Sequence, residues 1–192
     1  YHVSTLVAEE LSQKYPESKI YCVDTLAASM GEGLLVYLAA MEKQNGKTIE
    51  EVRDFAESHK LNLCHWFTVD DLNHLKRGGR VSAATALVGS LLNIKPILHV
   101  DDEGHLINVG KVRGRKASIE QVFNNMKKSA IDPQGQTVFI SHGDCEEDAL
   151  TLKKMVEKEF HPKEIKINAI GPVIGAHSGP GTLALFFLGT HR

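Results

Sequence analysis

The chain has 192 residues, of which 42% are hydrophobic and 24% are charged, and its formal net charge is −2. This length is sufficient for one sizeable hydrophobic core or for two small lobes that share a boundary. The nearly balanced charge excludes a general electrostatic attraction to nucleic acids or anionic membranes. Every apolar run is shorter than the roughly 18 residues that a membrane-spanning helix needs, so we expect no stable membrane insertion.

The first part of the chain is predicted to alternate between helices and strands. Apolar residues at helical spacing begin directly after Tyr1 without a helix start signal, so we expect a truncated chain with further residues upstream. A β-rich run over 19–25 predicts a strand. A helix follows and ends at Gly46, and Thr48 and Glu51 can form a capping box at the start of the next helix.

A strand and a short helix are predicted next. Residues 62–69 have the composition of a strand, and Asp70 is expected to cap the short helix that follows it. Gly78 and Gly79 then stop this helix, because glycine readily adopts the backbone conformation found after a helix end.

The last part of the chain combines a hairpin with further helices and strands. Ser82 is expected to cap a helix of small residues over 83–92. The elements that follow are a hairpin around 101–104, a helix over 116–130, a strand over 137–143, a helix capped by Asp144 and Glu147, and strands over 164–170 and 182–189. This order predicts an α/β fold with a mixed sheet in the second half.

Residues 171–182, GPVIGAHSGPGT, are predicted to form a glycine-rich loop between two strands. The glycines leave backbone N–H groups free to point inward, and such a concavity suits an anion. His177 and Ser178 add side-chain hydrogen-bond donors at the same place. The loop is interpreted either as a site that recognises a carboxylate or phosphate, or as a tight turn in which the histidine caps a neighbouring carbonyl.

Two basic turns combine arginine or lysine with glycine. The first contains Arg77, Gly78, Gly79 and Arg80, and the second covers 111–116. Arginine suits bidentate contact with phosphate, although each turn alone is explained more simply as a solvated surface. Nucleic-acid binding would need more positive charge and interleaved aromatic residues.

Metal binding and nucleophilic catalysis have weak signals. The ten histidines show no HxxxH or HExxH spacing, so we expect no metal site, although His65, His142 and His177 could converge. Residues 141–144, SHGD, contain the residue types of a hydrolase, but adjacent residues of a strand point to opposite faces. The three cysteines are widely spaced and lack a CxxC pair, which is typical of a cytoplasmic protein.

Six motifs, taken together, resemble one known family. They are DTLAASMGEG, TVDDLNHLKRGGRVS, LLNIKPILHVDDEGHL, KVRGRK, SHGD and GPVIGAHSGPGTLALFFLG. In this order and spacing they closely resemble the DegV family of bacterial fatty acid-binding proteins, nearly from end to end. The resemblance implies a two-lobed α/β fold. A partial N-terminal lobe with a parallel sheet would cover 1–70, and a C-terminal lobe with a mixed, partly antiparallel sheet backed by helices would cover 71–192.

The resemblance also implies a function. Family members hold a long-chain fatty acid between the two lobes, with its carboxylate toward the glycine-rich loop. In some members a separate, ATP-binding kinase subunit phosphorylates that carboxylate. We therefore expect a carrier that is not itself an enzyme and has no cofactor, with the fatty acid and the kinase subunit as its partners.

Residues that match the family's motifs receive roles from the resemblance. His177 matches the histidine beside the carboxylate, and Arg113 matches the arginine that serves the encounter with the kinase. Residues 77–80 match the family's basic R-G-G-R turn. The residues expected to contact the fatty acid are Ser29, Gly31, Gly33, Gly175, His177, Ser178 and Gly179. Two further hydroxyl-bearing motifs of the family would precede Tyr1.

Two other functions stay open on the residues alone. A small-molecule hydrolase or phosphotransferase would use His177 or His142 as its catalytic group. A regulatory nucleic-acid-binding protein would use the two basic turns, and its affinity would fall steeply with salt.

Overall fold

The computed structural model describes residues 1–81 and 93–192, which form seven α-helices and six strands in the described part of the chain. The helices there are α1 (His2–Lys14), α2 (Ser29–Gln44), α3 (Ile49–His59), α4 (Leu72–Arg77), α5 (Arg115–Ser129), α6 (Glu146–Phe160) and α7 (Pro172–Ser178). The strands are β1 (Leu63–Thr68), β2 (Ile94–Val100), β3 (Leu106–Arg113), β4 (Thr137–His142), β5 (Glu164–Ala169) and β6 (Leu183–Leu188). The predicted helix over 83–92 and its cap at Ser82 lie outside the described residues.

The six strands form one mixed sheet in the order β3-β2-β1-β6-β4-β5. Strands β4 and β5 pair in parallel, whereas the other neighbouring strands pair antiparallel. The central pair, β1 and β6, is in register along its whole length, from Leu63 opposite Leu188 to Thr68 opposite Leu183. The α/β class with a mixed sheet is therefore confirmed, and the division into lobes at residue 70 stays a prediction.

Helices cover both faces of this sheet, and the side chains of β6 show how the two faces differ. Alternate residues of a strand point to opposite faces. Ala184 and Phe186 join a core cluster with residues of α2, α3 and α4. Leu183, Leu185 and Phe187 join a second cluster with residues of α5 and α6. The continuous apolar run of β6 thus reflects burial on both faces.

The strand predicted over 19–25 is absent from the structure, so that prediction is wrong. Residues 15–28 connect α1 to α2 without helix or strand, and residues 1–62 contribute helices but no strand to the described sheet. β-branched and aromatic residues favour a strand only where a neighbouring strand accepts their hydrogen bonds, and this segment has no such neighbour among the described residues.

Two helix caps differ from the predictions, and a third is confirmed. The carboxylate of Asp71, not Asp70, accepts from the backbone N–H of Asn73 at 2.8 Å and caps α4. Helix α6 begins after Cys145 without a side-chain cap bond, so the cap by Asp144 and Glu147 is wrong. At α3, Thr48 and Glu51 form both bonds of the capping box.

The glycine-rich stretch contains a helix, so its prediction as a continuous loop is wrong. Pro172 opens α7, because its fixed φ suits a first helical turn and its missing N–H is not needed there. The helix ends at Ser178, and Gly179 follows with φ of 77°.

Helix α1 lies wholly within the described residues, and none of its side chains is buried. Val3, Leu6 and Val7 are exposed on it. Among the described helices none combines the length and the apolar character needed to cross a membrane.

Candidate functional site

A cavity of about 440 Å³ lies between α7, the start of α2 and one face of the central strands. Most of its wall is apolar, and the larger apolar side chains that line it are Phe67, Leu75, Val100, Leu106, Ile174 and Phe186. Its polar lining includes the side chains of Ser29, Ser141, His177, Ser178 and Thr182. A mainly apolar cavity with a few converging polar groups is the usual form of a small-molecule site.

His177 lies in the last turn of α7 and reaches the cavity wall. Its ring packs directly against the backbone of Gly78, where a Cβ atom would overlap the imidazole Nδ1. Gly79 and Arg80 line the same cavity, and the Arg80 guanidinium donates to the Gly78 carbonyl at 2.7 Å. The basic turn and the glycine-rich stretch, predicted as separate features, therefore meet at one place.

The predicted serines lie at this cavity, but their hydrogen bonds differ. Ser178 is buried and its hydroxyl donates to the Ile174 carbonyl at 2.9 Å, so its proton is already used. The Ser29 hydroxyl lies 3.4 Å from that of Ser141 on β4. Ser29 and Ser141 thus form a hydroxyl pair in the lining, which the sequence did not connect.

The four glycines with an expected role in ligand contact are not among the described residues that line the cavity. Gly31 packs against the ring of His65, and Gly179 packs against the ring of His74. Gly33 has Phe139 at 4.0 Å from an ideal Cβ, and Gly175 has Ile170 at 3.7 Å. Gly31 and Gly179 therefore allow the rings of His65 and His74 to pack closely against the backbone. A direct contact of these four glycines with a ligand stays a prediction.

His65 is a lining residue to which sequence reasoning gave no role at a cavity. It lies on β1, on the face that also carries Leu63 and Phe67, and its ring meets that of Phe186 edge-on at 5.6 Å. Both ring nitrogens are buried without a hydrogen-bond partner among the described residues. Burial, together with the smaller effect of the nearby Arg192 charge, lowers the pKa of His65 to about 3. The strand periodicity was the available signal, since every second residue of β1 faces this wall.

The neutral state of His65 predicts a pH dependence of stability. Its pKa is about 3 in the folded protein against an ordinary 6.5, so between these values the unfolded chain binds a proton that the folded protein excludes. The contribution of neutral His65 is complete above pH 6.5 and is lost as the pH falls toward 3, by up to about 1.4 kcal/mol per pH unit. Urea unfolding at a series of pH values measures this slope.

The control for this measurement is a pair of variants. The His65→Leu protein is expected to show a flatter dependence over the same range, because the buried titrating group is gone. The exposed His2 on α1 offers a matched change, and His2→Ala is expected to keep the wild-type slope. An unchanged slope in His65→Leu would show that other groups cause the dependence.

The two arginines of the second basic turn have different surroundings. Arg113 is exposed at the end of β3 and lies outside the described lining of the cavity. Arg115 opens α5, and its Nε donates to Asp148 at 2.8 Å while Nη2 lies 3.4 Å from the Cys145 sulfur. Arg115 therefore ties α5 to α6, and Arg113 is the one of the two that points to solvent.

The hydrolase residues are only partly brought to the cavity. Ser141 lines it, whereas its neighbour His142 is turned away from the described lining and its Nδ1 accepts from the Cys145 backbone at 3.4 Å. Asp144 is exposed, with φ of 54°. The strand alternation thus separates the serine from the adjacent histidine, as expected.

One group in the described residues could bring three metal-ligand atoms together, namely Asp101, Glu103 and His105 in the β2–β3 turn. The Asp101 carboxylate already accepts from the backbone N–H groups of Glu103 and His105, at 3.1 and 2.8 Å. These bonds account for the cluster as part of the hairpin turn.

The chain was compared with known families and structures. A family model described as uncharacterised proteins of the DegV family matches residues 1–190. A DegV domain-containing protein of Clostridium perfringens is 52% identical over 189 residues, which are 98% of this chain and 65% of that protein. One from Streptococcus pyogenes serotype M1 is 40% identical over 187 residues, 97% of this chain and 64% of that protein. The chain thus spans just under two thirds of these relatives.

Solved structures of similar fold include two whose descriptions refer to fatty acids. A DegV family protein from Thermus thermophilus, described by its fatty acid binding, is 31% identical with a TM-score of 0.82, over 93% of this chain and 64% of that one. The fatty acid kinase B3 protein of Streptococcus pneumoniae, loaded with linoleic acid, is 23% identical with a TM-score of 0.87. The match covers 97% of this chain and 66% of that one. At 23% identity, the Streptococcus pneumoniae protein shows a likeness of fold alone. From the family match and the identity to its relatives, the chain belongs to the DegV family.

Proposed function

We propose that the protein binds a long-chain fatty acid in the cavity and presents its carboxylate at the His177 end to a separate kinase subunit. The observation that carries the proposal is the composition of the cavity lining. Apolar side chains form most of the wall, and a few hydroxyl-bearing residues and the His177 residue of α7 complete it. The fatty acid binding described for the Thermus thermophilus relative supports the same ligand class.

The apolar lining residues suit the alkyl chain of a fatty acid, and the polar lining residues suit its carboxylate. Each buried methylene contributes about 0.8 kcal/mol, so a chain of roughly sixteen carbons gains on the order of 10 kcal/mol before the ordering cost of binding. A carboxylate is costly to desolvate unless hydrogen-bond donors meet it. Ser29 and His177 carry such donors in the lining, and the Arg80 guanidinium adds positive charge nearby.

Extraction of the purified protein with organic solvent, followed by mass spectrometry, tests the proposal. We expect fatty acid in the extract in near-stoichiometric amount. Binding of added hexadecanoic acid to delipidated protein, followed by calorimetry, is the second measurement. No extracted fatty acid together with no binding at micromolar concentration would remove the proposed function.

The role of the carrier in phosphorylation leads to a prediction for Arg113. Arg113 is exposed and lies outside the described cavity lining, so Arg113→Ala is expected to leave fatty acid affinity and melting temperature unchanged. We expect it to slow acyl phosphate formation by a cognate kinase subunit about tenfold, through the loss of a charged contact of about 1.4 kcal/mol. The measurement is kinase turnover at increasing concentrations of the carrier.

Arg115→Ala provides the contrast, because this neighbouring arginine is bound to Asp148 inside the protein. It is expected to lower the melting temperature, whereas Arg113→Ala is not. A loss of fatty acid affinity in Arg113→Ala as large as its loss of turnover would contradict the assignment of Arg113 to the kinase encounter.

A further inference from the structure

Arg192 forms an unusual buried contact next to the segment that enters α2. The residue is only 8% exposed. Its Nη1 donates to the carbonyls of Leu26 and Asp101 at 2.7 and 3.2 Å. Its Nη2 and Nε donate to the carbonyls of Thr25, Lys60 and Leu63 at 3.1, 2.6 and 3.2 Å. One guanidinium thus joins the segment before α2, the end of α3, the start of β1 and the β2–β3 turn.

The segment joined by Arg192 contains no helix or strand. Val23 and Ala27 pack against the first core cluster, and the local bonds of the segment are turns, such as the Leu26 N–H to the Asp24 carboxylate at 3.2 Å. Leu26 and Ser29 adopt φ of 50° and 58°. These values lie in the left-handed region, which is unfavourable for residues other than glycine. Each such residue costs roughly 1–3 kcal/mol and persists only where the surroundings fix it. Besides the packing of Val23 and Ala27, the two bonds from Arg192 to the carbonyls of Thr25 and Leu26 fix the backbone here.

The segment held by Arg192 leads directly to Ser29, which lines the cavity. Ser29 is the first residue of α2, and its hydroxyl lies 3.4 Å from the Ser141 hydroxyl. We propose that Arg192 is a positioning residue, which holds the segment before α2 so that the Ser29 hydroxyl faces the fatty acid carboxylate. The inference rests on the proposed function for its ligand, and on the hydrogen bonds of Arg192 for its mechanism.

Lysine cannot replace arginine in this role. Arginine has five N–H donors in a fixed planar fork, whereas the ammonium of lysine has three donors at a single atom. Arg192→Lys therefore keeps the positive charge but cannot reach carbonyls on four separate segments. His191 is the matched control, because it is exposed and adjacent, and His191→Ala leaves its backbone carbonyl in place.

The test is a double-mutant cycle read as a ratio of affinities. Hexadecanoic acid and hexadecan-1-ol share the same saturated alkyl chain, so the ratio of their dissociation constants isolates the head group. Arg192→Lys and Ser29→Ala are each expected to reduce the preference for the acid about five- to tenfold, and the double variant no more than either, because both act through one hydroxyl. His191→Ala is expected to keep the wild-type ratio.

Hydrogen–deuterium exchange without ligand tests the same inference independently of binding. Amides of residues 24–31 are expected to exchange about tenfold faster in Arg192→Lys than in wild type or His191→Ala, since their local opening becomes easier. Unchanged exchange there, or equal loss of acid and alcohol affinity, would overturn the inference. Arg192→Gln replaces Arg192→Lys if the latter does not fold. Failure of the wild type to bind hexadecanoic acid would instead overturn the proposed function.

Discussion

Replacement of His177 by alanine is expected to weaken the binding of hexadecanoic acid by about 10- to 100-fold, because a hydrogen bond to a charged group is worth about 1.5–3 kcal/mol. His177 lines the cavity, and its imidazole packs closely against the backbone of Gly78 at the end of α4. The measurement is the dissociation constant by calorimetry on delipidated protein. Folding is expected to be preserved, since His177 is only partly buried and does not belong to the core.

Hexadecan-1-ol, which has the alkyl chain of hexadecanoic acid but no carboxylate, separates head-group recognition from a general effect on the cavity. His177→Ala is expected to change the affinity for hexadecan-1-ol by less than about threefold, because the lost interaction involves the carboxylate charge. The exposed His2→Ala variant serves as the surface control. A lower melting temperature with unchanged acid affinity would identify His177 as a structural residue that only caps its turn.

Gly31→Ala is expected to lower the free energy of unfolding by about 1–3 kcal/mol, because the added methyl group overpacks the contact between α2 and β1. An ideal Cβ at Gly31 would overlap the ring of His65 and lie 3.0 Å from Phe186, and both rings line the cavity. The methyl group would therefore also push the wall inward and weaken fatty acid binding. Urea unfolding and calorimetry measure the two effects.

Gly33→Ala is the matched control in the same helix. Its Cβ would meet only Phe139, at 4.0 Å, among the described residues. Alanine stabilises a helix interior relative to glycine by roughly 0.5–1 kcal/mol, so Gly33→Ala is expected to raise the free energy of unfolding. Equal effects of the two substitutions would show that the His65 ring moves aside without cost.

Local sequence signals predicted much of the fold. The capping box of Thr48 and Glu51 and the hairpin around 101–104 are short-range patterns, and the structure contains both. The errors also have local causes. Four glycines concealed the short helix opened by Pro172, and the composition of 19–25 could not show that this segment lacks a neighbouring strand.

The site was predictable only where a motif marked it. The structure brings His177, Ser178 and Ser29 to one cavity, and the family resemblance had placed all three there. It did not reveal that Gly78 packs under the His177 ring, because the two positions are about a hundred residues apart in the chain. The hydrogen bonds of Arg192 to Thr25 and Leu26 likewise join distant parts of the sequence, and no local pattern encodes such contacts.

The outer strands of the sheet, β3 and β5, bear on how the molecule avoids self-association. An outer strand offers unpaired backbone groups to any passing chain, and charged side chains on it discourage such additions. Strand β3 carries exposed Lys111 and Arg113, and β5 carries Glu164 and Lys166, whose charged groups lie 2.6 Å apart. Replacement of these charged residues of β3 and β5 by neutral ones is therefore expected to promote intermolecular strand pairing and reduce solubility. The hydrophobic core and the cavity would be unchanged.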